Sequence, residues 1–181
     1  MEIKGQGFSL RGWRTDDAPA LQKHADNINV SGYLFNRFPY PYSMDNAVEW
    51  INHVMKQDPL LNLVIDVDGE LAGVIGIEMR TDVYQKAPLI GYWLGEAYWG
   101  RGIMPQAVKL MIDYLFTHFD IVRLQAGVFS NNPRSMRVLE KAGFVKEGIL
   151  KSSIIKNGVI LDEHVYGLTR GPGLKGPGLR D

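Results

Sequence analysis

The spacing of apolar and polar residues predicts strands and helices from the start of the chain. Gly7–Trp13 alternates like a strand, and Thr15-Asp16-Asp17 then offers a capped helix start. Ser43 starts a second helix with a period near 3.6 residues. Between the two helices, residues 33–42 (YLFNRFPYPY) are irregular. The positions predicted to face inward are Ala20, Leu21, His24, Ala25 and Ile28 in the first helix and Ala47, Val48, Ile51, Val54 and Met55 in the second.

After Leu60 the pattern changes to that of strands. Asn62–Val67 and Leu71–Met79 are rich in β-branched residues, and Asp68-Gly69 between them is a strong hairpin signal. Leu89–Leu94 has the same strand-like composition. A short turn then follows, with the sequence WGRGIM, which we call the glycine turn (residues 99–104).

The second half of the chain completes a mixed α/β pattern. Its predicted elements are a helix at Pro105–His118, a strand at Asp120–Phe129, a helix from the N-cap Asn132 to the C′ glycine Gly143, a strand at Phe144–Leu150 and a hairpin at Ile154–Leu168 around Asn157-Gly158. Together the elements predict one mixed-sheet α/β domain over residues 1–170, with no second core. The tail at 171–181, GPGLKGPGLRD, has no pattern that could pack, and we expect it to be disordered.

Composition and charge narrow the classes of partner. Lys and Arg number 20, and Asp and Glu number 20, so the formal net charge of the 181 residues is zero and no global field favours nucleic acid. The absence of cysteine excludes disulfides, thiolate metal sites and a cysteine nucleophile. No acid and histidine cluster has the spacing of metal ligands. No apolar run suits a signal peptide or a bilayer span, so we expect a cytoplasmic protein without a membrane partner.

The glycine turn joins a strand to a helix, which is a common setting for phosphate binding. Glycines let the backbone approach a ligand closely, and the helix N-terminus favours negative charge. A P-loop is excluded because Ile103 and Met104, rather than Lys and Ser or Thr, follow the last glycine. A dinucleotide-binding turn would need a third glycine within a βαβ unit. The remaining alternative to a phosphate site is a plain tight turn made by Gly100 and Gly102.

Two motifs carry a resemblance to a known family. They are YWLGEAYWGRGIMPQAVKLMIDYLF at 92–116 and FSNNPRSMRVLEKAGFVKEG at 129–148. In both motifs the chain resembles the GNAT N-acetyltransferase superfamily, and most of all the ribosomal-protein alanine and serine N-acetyltransferases of the RimJ/RimL type. The resemblance extends from Phe8 to about Arg170. It implies the GNAT-like acyl-CoA N-acyltransferase fold, a mixed and mostly antiparallel central sheet flanked by helices.

The same resemblance implies acetyl-CoA as co-substrate and no metal. Its pyrophosphate would lie on the glycine turn, and its pantetheine arm would pair with the preceding strand. The cofactor-binding residues implied are Trp93, Leu94, Gly100, Arg101, Gly102, Ile103, Met104, Asn132 and Ser135. The simpler alternatives are packing for Trp93, a solvated side chain for Arg101 and helix capping alone for Asn132.

Acetyl transfer to an amine needs an acid for the leaving thiolate and a base for the ammonium. Many family members use a tyrosine seven residues after the asparagine, where this chain has Leu139. The ribosomal-protein branch has a serine three residues after the asparagine, so Ser135 is the candidate that donates a proton to the thiolate or hydrogen-bonds to the arm. The simpler alternative is an ordinary serine in the first turn of a helix. The family's glutamate before the Ile-Gly-Tyr-Trp run is replaced by Leu89, so the candidate base is Glu78, near the end of the preceding strand, acting directly or through water. The simpler alternative for Glu78 is an exposed strand carboxylate. His164 is a further histidine that could face a cleft.

The irregular segment at 33–42 forms the acceptor wall in relatives. The resemblance therefore points to Arg37, Phe38 and Tyr40 as acceptor contacts, and Tyr84 is a further candidate because it lies in the loop that follows Glu78. The simpler alternative is that the aromatic residues only fix the loop onto the sheet. The predicted function is an acetyl-CoA-dependent N-acetyltransferase that acts on a primary amine, either a protein N-terminus or a small amine. The alternative is a catalytically weak acyl-CoA-binding or sensing protein of the same fold. Both a monomer and a homodimer are open.

Overall fold

The computed structural model describes residues 1–171. Its strands are β1 (Glu2–Lys4), β2 (Ser9–Arg11), β3 (Asn62–Val67), β4 (Glu70–Glu78), β5 (Leu89–Leu94), β6 (Arg123–Phe129), β7 (Val145–Lys156) and β8 (Val159–Thr169). Its α-helices are α1 (Ala18–Ala25), α2 (Ile28–Ser31), α3 (Met44–Val54), α4 (Ile103–His118) and α5 (Pro133–Lys141). Three short 3-10 helices lie at Thr15–Asp17, Asp82–Tyr84 and Glu96–Tyr98. The tail predicted to be disordered, residues 171–181, lies outside the described residues except for Gly171.

The strands form a mixed and mostly antiparallel sheet in the order β1-β2-β3-β4-β5-β6-β8-β7. The pairs β1–β2, β2–β3, β3–β4, β6–β8 and β7–β8 are antiparallel. β5 pairs with β6 in parallel, with Leu89 opposite Gln125. This is the fold class that the sequence predicted, so that prediction is confirmed.

The chain divides into two compact units. The first consists of Met1–Gly76 and Tyr92–Ala107, and the second consists of Ile77–Gly91 and the described residues from Val108 onward. β4, β5 and α4 each contribute residues to both units. Among residues 1–171, no helix has the length and apolar character needed to cross a membrane.

The first unit has an apolar core made by α1, α3, β3 and β4 together with Trp13 and Tyr42. Its fully or nearly fully buried members include Leu21, Ala25, Ala47, Ile51, Val54, Val64 and Leu71. Beside this core lies a buried ion cluster in which Arg11 Nη2 donates to Asp17 Oδ1 and Arg11 Nε donates to Asp66 Oδ2, both at 2.6 Å. Each buried carboxylate therefore has the Arg11 guanidinium as a partner, although one positive charge is shared by two negative charges.

Three helix positions predicted to face inward are exposed instead. Ile28 is 48% exposed because α1 ends at Ala25 and a new helix, capped by Asn27, begins at Ile28. Val48 and Met55 flank the buried stripe of α3 and are 43% and 49% exposed. β1 was not predicted, since three residues carry too little pattern to reveal a strand.

The second unit is built from α4, α5 and the long hairpin of β7 and β8. The hairpin turns at Asn157 and Gly158, both of which have positive φ, as predicted. The predicted break between two strands at 150–154 is wrong: β7 is continuous and absorbs the irregularity as a register shift between Leu150 and Ile154. α4 begins two residues earlier than predicted, and β6 begins three residues later.

Candidate functional site

The glycine turn has an unusual backbone in the first unit. Gly100 and Gly102 have φ of +76° and +74°, a conformation that other residues adopt only with strain. A Cβ built on either glycine would meet no other atom within 4 Å. The glycines are therefore required by backbone conformation rather than by crowding, and the space beside them is open. Alternation of left-handed and ordinary backbone at the start of a helix produces an anion-binding concavity.

One hydrogen bond fixes the turn to the end of β5, and a second joins the residue after β5 to β4. The indole Nε1 of Trp99 donates to Leu94 O at 2.7 Å, and Gly95 N donates to Ala72 O in β4 at 2.8 Å. Gln106, one turn into α4, reaches back to Gly102 O at 3.4 Å. The predicted cofactor residues Leu94 and Gly102 therefore belong to one anchored segment.

The other predicted residues of the turn have different environments. The Arg101 side chain is exposed, and its guanidinium carbon lies 5.3 Å from the ring centroid of Tyr98. Ile103 and Met104 are buried. Their side chains belong to the core, so only their backbone N–H groups, in the first turn of α4, are suited to an anion.

His24 lies against the segment that leads into the glycine turn. Its ring is 5.3 Å from that of Tyr98 in an edge-to-face contact, and its Nδ1 would lie 2.8 Å from a Cβ at Gly95. Its Nε2 lies 3.3 Å from Glu70 Oε1, which also accepts a hydrogen bond from Lys23. Burial lowers the pKa of His24, although the hydrogen bond with Glu70 opposes the shift.

Glu96 ties the same segment to the start of α2. The side-chain amide of Asn27 donates to Glu96 Oε2 at 2.7 Å, and that of Asn29 donates to both carboxylate oxygens at 3.1 Å. His24 and Glu96 were not predicted from the sequence as neighbours of the turn, because their partners Tyr98 and Asn27 lie about 70 residues away along the chain. The available signal in the sequence was that His24, a polar residue, lies on the otherwise apolar stripe of α1.

An aromatic cluster links two residues that were predicted for different roles. Phe38 contacts Trp93 at 5.9 Å between ring centroids and Tyr42 at 5.0 Å. Burial raises the pKa of Tyr42 to about 12, so its phenol stays protonated at neutral pH. Arg37 and Tyr40 are exposed, with the Arg37 guanidinium carbon 5.0 Å from the Phe35 ring centroid. The predicted acceptor residue Phe38 thus packs on the predicted cofactor residue Trp93.

In the second unit, Asn132 and Ser135 meet at the start of α5. Asn132 is the N-cap, and its side-chain oxygen accepts a hydrogen bond from Ser135 N at 3.2 Å. Pro133 occupies the first helical position, where its missing N–H costs nothing. Leu139, which stands where many family members have tyrosine, is 0% exposed and lies in the core. The local structure therefore offers Ser135, and not position 139, as a polar group near the helix start.

β5 has an open backbone position in the second unit. Gly91 is exposed, and a Cβ built on it would meet no atom within 4 Å. A glycine inside a strand with free space around it is suited to close approach by a ligand. This arrangement fits the pantetheine arm that the resemblance implies for β5.

Three further predicted side chains of the second unit, Glu78, Tyr84 and His164, have different surroundings. Glu78 is exposed at the end of β4, and Tyr84 is stacked under Arg80, whose guanidinium carbon lies 4.0 Å from the ring centroid. His164 has a buried Nδ1 without a hydrogen-bond partner among residues 1–171, and burial lowers its pKa. Within the same residues, no group of three or more histidines and acids has the arrangement of a metal site.

Comparison with known proteins gives the same family as the motifs. The acetyltransferase (GNAT) domain family matches residues 8–145. The probable N-acetyltransferase YjcK of Bacillus subtilis is 42% identical over 101 residues, which cover 56% of this chain and 56% of YjcK. The chain therefore matches about half the length of that relative.

Solved structures share the fold over almost the whole chain. RimL, a ribosomal L7/L12 α-N-protein acetyltransferase in complex with coenzyme A, has a TM-score of 0.81 at 24% identity, covering 93% of this chain and 98% of RimL. The microcin C7 self-immunity acetyltransferase MccE, in complex with acetyl-CoA and AMP, has a TM-score of 0.79 at 25% identity, covering 92% of this chain and 94% of MccE. The family predicted from the two motifs is confirmed: the chain belongs to the GNAT acetyltransferase family.

Proposed function

We propose that this protein is an acetyl-CoA-dependent N-acetyltransferase that transfers the acetyl group to a primary amine by direct attack in a ternary complex. The observation that carries the proposal is the glycine turn. Its two left-handed glycines, the open space beside them and the N-terminus of α4 suit a pyrophosphate. Because the chain belongs to the GNAT acetyltransferase family, we infer that this pyrophosphate is that of acetyl-CoA.

In this proposal the residues of the first unit hold the nucleotide end of acetyl-CoA. The backbone N–H groups from Gly100 to Met104 donate to phosphate oxygens, and the exposed Arg101 supplies positive charge. Trp93 and Leu94, at the end of β5, would border the pantetheine arm. When bound, acetyl-CoA supplies an activated acyl group, and the protein contributes position and electrostatics.

The proposed catalytic groups belong to the second unit. Ser135 would donate a proton to the leaving thiolate or hydrogen-bond to the arm, while the helix cap holds its backbone in place. Glu78, exposed at the end of β4, would accept the proton of the ammonium directly or through water. Neither role requires a metal.

For the acceptor we propose a protein N-terminus or a small amine. The name of RimL states that it acetylates the N-terminus of a ribosomal protein, and the sequence motifs resemble that branch. Arg37, Phe38 and Tyr40 would contact the acceptor from the irregular segment, and Tyr84 from the loop after β4. The exposure of Arg37, Tyr40 and Tyr84 supports these assignments.

The burial of Leu139 gives the alternative function a specific basis, because the tyrosine acid of many relatives has no substitute at that position. A thiol-release assay with acetyl-CoA and a panel of N-terminal peptides, alaninamide and spermidine separates the two functions. We expect thiol release that depends on an amine. Tight acetyl-CoA binding without amine-dependent release would instead show an acyl-CoA-binding protein.

A further inference from the structure

Tyr98 directly precedes the glycine turn and has no role in the proposed function so far. It is the last residue of the 3-10 helix at Glu96–Tyr98, and its ring is half-buried. The backbone N–H of Tyr98 donates to Gly95 O at 2.9 Å, and that of Trp99 donates to Glu96 O at 3.1 Å. Two consecutive turn hydrogen bonds therefore fix the point at which the Tyr98 side chain leaves the backbone.

His24 holds the Tyr98 ring from the inner side of α1. The two ring centroids are 5.3 Å apart with an interplanar angle of 65°, which is an edge-to-face contact. A Cβ at Gly95 would lie 2.8 Å from His24 Nδ1 and 3.2 Å from Ala72 O, so a larger residue there would push the segment away from α1. His24 is buried, and its Nε2 lies 3.3 Å from Glu70 Oε1. Tyr98 thus packs against a ring that is itself fixed.

A second set of contacts holds the same 3-10 helix at its other end. The Glu96 carboxylate accepts hydrogen bonds from the side-chain amides of Asn27, at 2.7 Å, and Asn29, at 3.1 Å. Asn27 is also the N-cap of α2, so its side chain has a defined position. Contacts from α1 and α2 therefore hold the 3-10 helix at both of its ends, which makes it a firm support for what lies on it.

The side chain that lies on this support is Arg101 of the glycine turn. Its guanidinium carbon is over the Tyr98 ring, 5.3 Å from the centroid. Arg101 is exposed and forms no ion pair with any of residues 1–171, so its charge is available to an anion. An exposed arginine has many rotamers, and ordering it on a ligand costs free energy. The attraction between a cation and the face of an aromatic ring reduces that freedom before the ligand arrives.

We propose that Tyr98 is a positioning residue that orients the Arg101 guanidinium toward the phosphates of acetyl-CoA, with His24 as the support of its ring. This role rests on the proposed function, in which Arg101 supplies positive charge at the glycine turn. Tyr98 acts through Arg101 and does not itself touch the cofactor. A planar guanidinium held in one orientation can donate two hydrogen bonds to phosphate oxygens, so the gain appears as affinity for acetyl-CoA.

A double-mutant cycle, measured by calorimetric titration of acetyl-CoA into the full chain, tests this role. Tyr98→Leu should bind acetyl-CoA about twofold to fivefold more weakly than the wild type, the size of an exposed cation–π contact. Tyr98→Phe keeps the ring and should bind like the wild type. In a chain that already carries Arg101→Gln, Tyr98→Leu should have no further effect. Phe35→Leu removes another ring of the first unit that an arginine lies over, and this control should keep the wild-type affinity.

Steady-state kinetics separate this role from a merely structural one. S-acetylpantetheine carries the acyl thioester but no phosphate, so its KM should be the same in Tyr98→Leu and the wild type. The KM for acetyl-CoA should rise about twofold to fivefold in Tyr98→Leu while kcat is unchanged. An equal rise in both KM values would overturn the inference. The same loss of acetyl-CoA affinity from Tyr98→Leu with and without Arg101→Gln would also overturn it.

Arg101→Gln separates failure of this inference from failure of the proposed function. We expect this variant to bind acetyl-CoA at least tenfold more weakly, because a charge-assisted contact is lost. If it does so while Tyr98→Leu binds like the wild type, the positioning role is overturned and the proposed function stands. If the predicted pattern of affinities is found but no amine is acetylated, the reaction is wrong and the positioning role stands. Wild-type affinity in Arg101→Gln would overturn both the positioning role and the phosphate contact of Arg101.

Discussion

At the start of α5, the backbone and the side chain of Ser135 have separate roles. Ser135 N donates to Asn132 Oδ1 and completes the helix cap, whereas the hydroxyl takes no part in that hydrogen bond. Removal of the hydroxyl should therefore preserve the helix. This separation makes position 135 suitable for a test of chemistry at the residue scale.

Ser135→Ala should lower kcat about a hundredfold and leave the KM for acetyl-CoA within about twofold, as expected for loss of a general acid. Thiol release under saturating amine measures both parameters. Ser153→Ala, which removes an exposed hydroxyl in β7, is the matched control and should behave like the wild type. Equal kinetics for Ser135→Ala and the wild type would remove Ser135 from catalysis.

At the scale of elements, the cap of α5 joins local stability to the site. Asn132→Ala should lower the free energy of unfolding by about 1 kcal/mol, because the N–H of Ser135 loses its acceptor. For a chain of this size the melting temperature should fall by roughly 2–4 °C. Circular dichroism during heating measures the change.

Two variants control that measurement. Asn131→Ala removes the adjacent exposed asparagine, which is not the cap, and should melt like the wild type. Asn132→Ser should recover most of the loss, since serine is also a good N-cap. A melting temperature for Asn132→Ala equal to that of Asn131→Ala would show that the cap adds no stability.

The contact of α1 with the segment before the glycine turn makes stability depend on pH. His24 is buried and its pKa is lowered, so the unfolded chain binds a proton near pH 6.5 that the folded chain resists. The stability from neutral His24 is fully present above pH 6.5 and is lost as the pH falls below it toward the folded pKa. The depressed pKa of His164 acts in the same direction.

His24→Gln should therefore reduce the loss of stability between pH 7.5 and pH 5.5. Urea unfolding at the two pH values measures this difference. His118→Gln, at an exposed position near the end of α4, is the control and should keep the pH dependence of the wild type. An unchanged pH dependence in His24→Gln would show that His24 does not resist protonation in the folded state.

Elements fixed by local chemistry could be predicted from the sequence. The caps Ser43 and Asn132, the hairpin turn at Asn157-Gly158 and the C′ glycine Gly143 all appear where their residue types require. Within the candidate site, the glycine turn and the Asn132–Ser135 cap are of this local kind. They were predicted because each depends on neighbours within a few residues.

Features that depend on distant partners could not be predicted. His24 meets Tyr98, and Glu163 lies over Gly127, because the fold brings residues from separate elements together. The end of α1 at Ala25 was also missed, since the apolar spacing continues to Ile28 although the helix does not. The acceptor residues remain predictions for the same reason, because an irregular segment has no period from which contacts follow.

At the scale of the whole molecule, three continuous elements carry the proposed function. β4, β5 and α4 each contribute residues to both compact units, which supports our proposal that residues 1–170 form one functional domain. With a net charge of zero, the chain as a whole does not attract a polyanion such as coenzyme A. Binding must then depend on the local geometry of the glycine turn.

Calorimetric titration of acetyl-CoA tests this central claim most directly. Gly102→Asp should weaken binding at least tenfold relative to the wild type, because a side chain and a negative charge enter the phosphate site and the positive φ becomes strained. Gly7→Asp is the matched control, since Gly7 has the same φ of +76° as Gly100 and equally open surroundings. We predict wild-type affinity for Gly7→Asp and a large loss for Gly102→Asp. Equal affinity in all three proteins, or no binding by the wild type, would contradict the account.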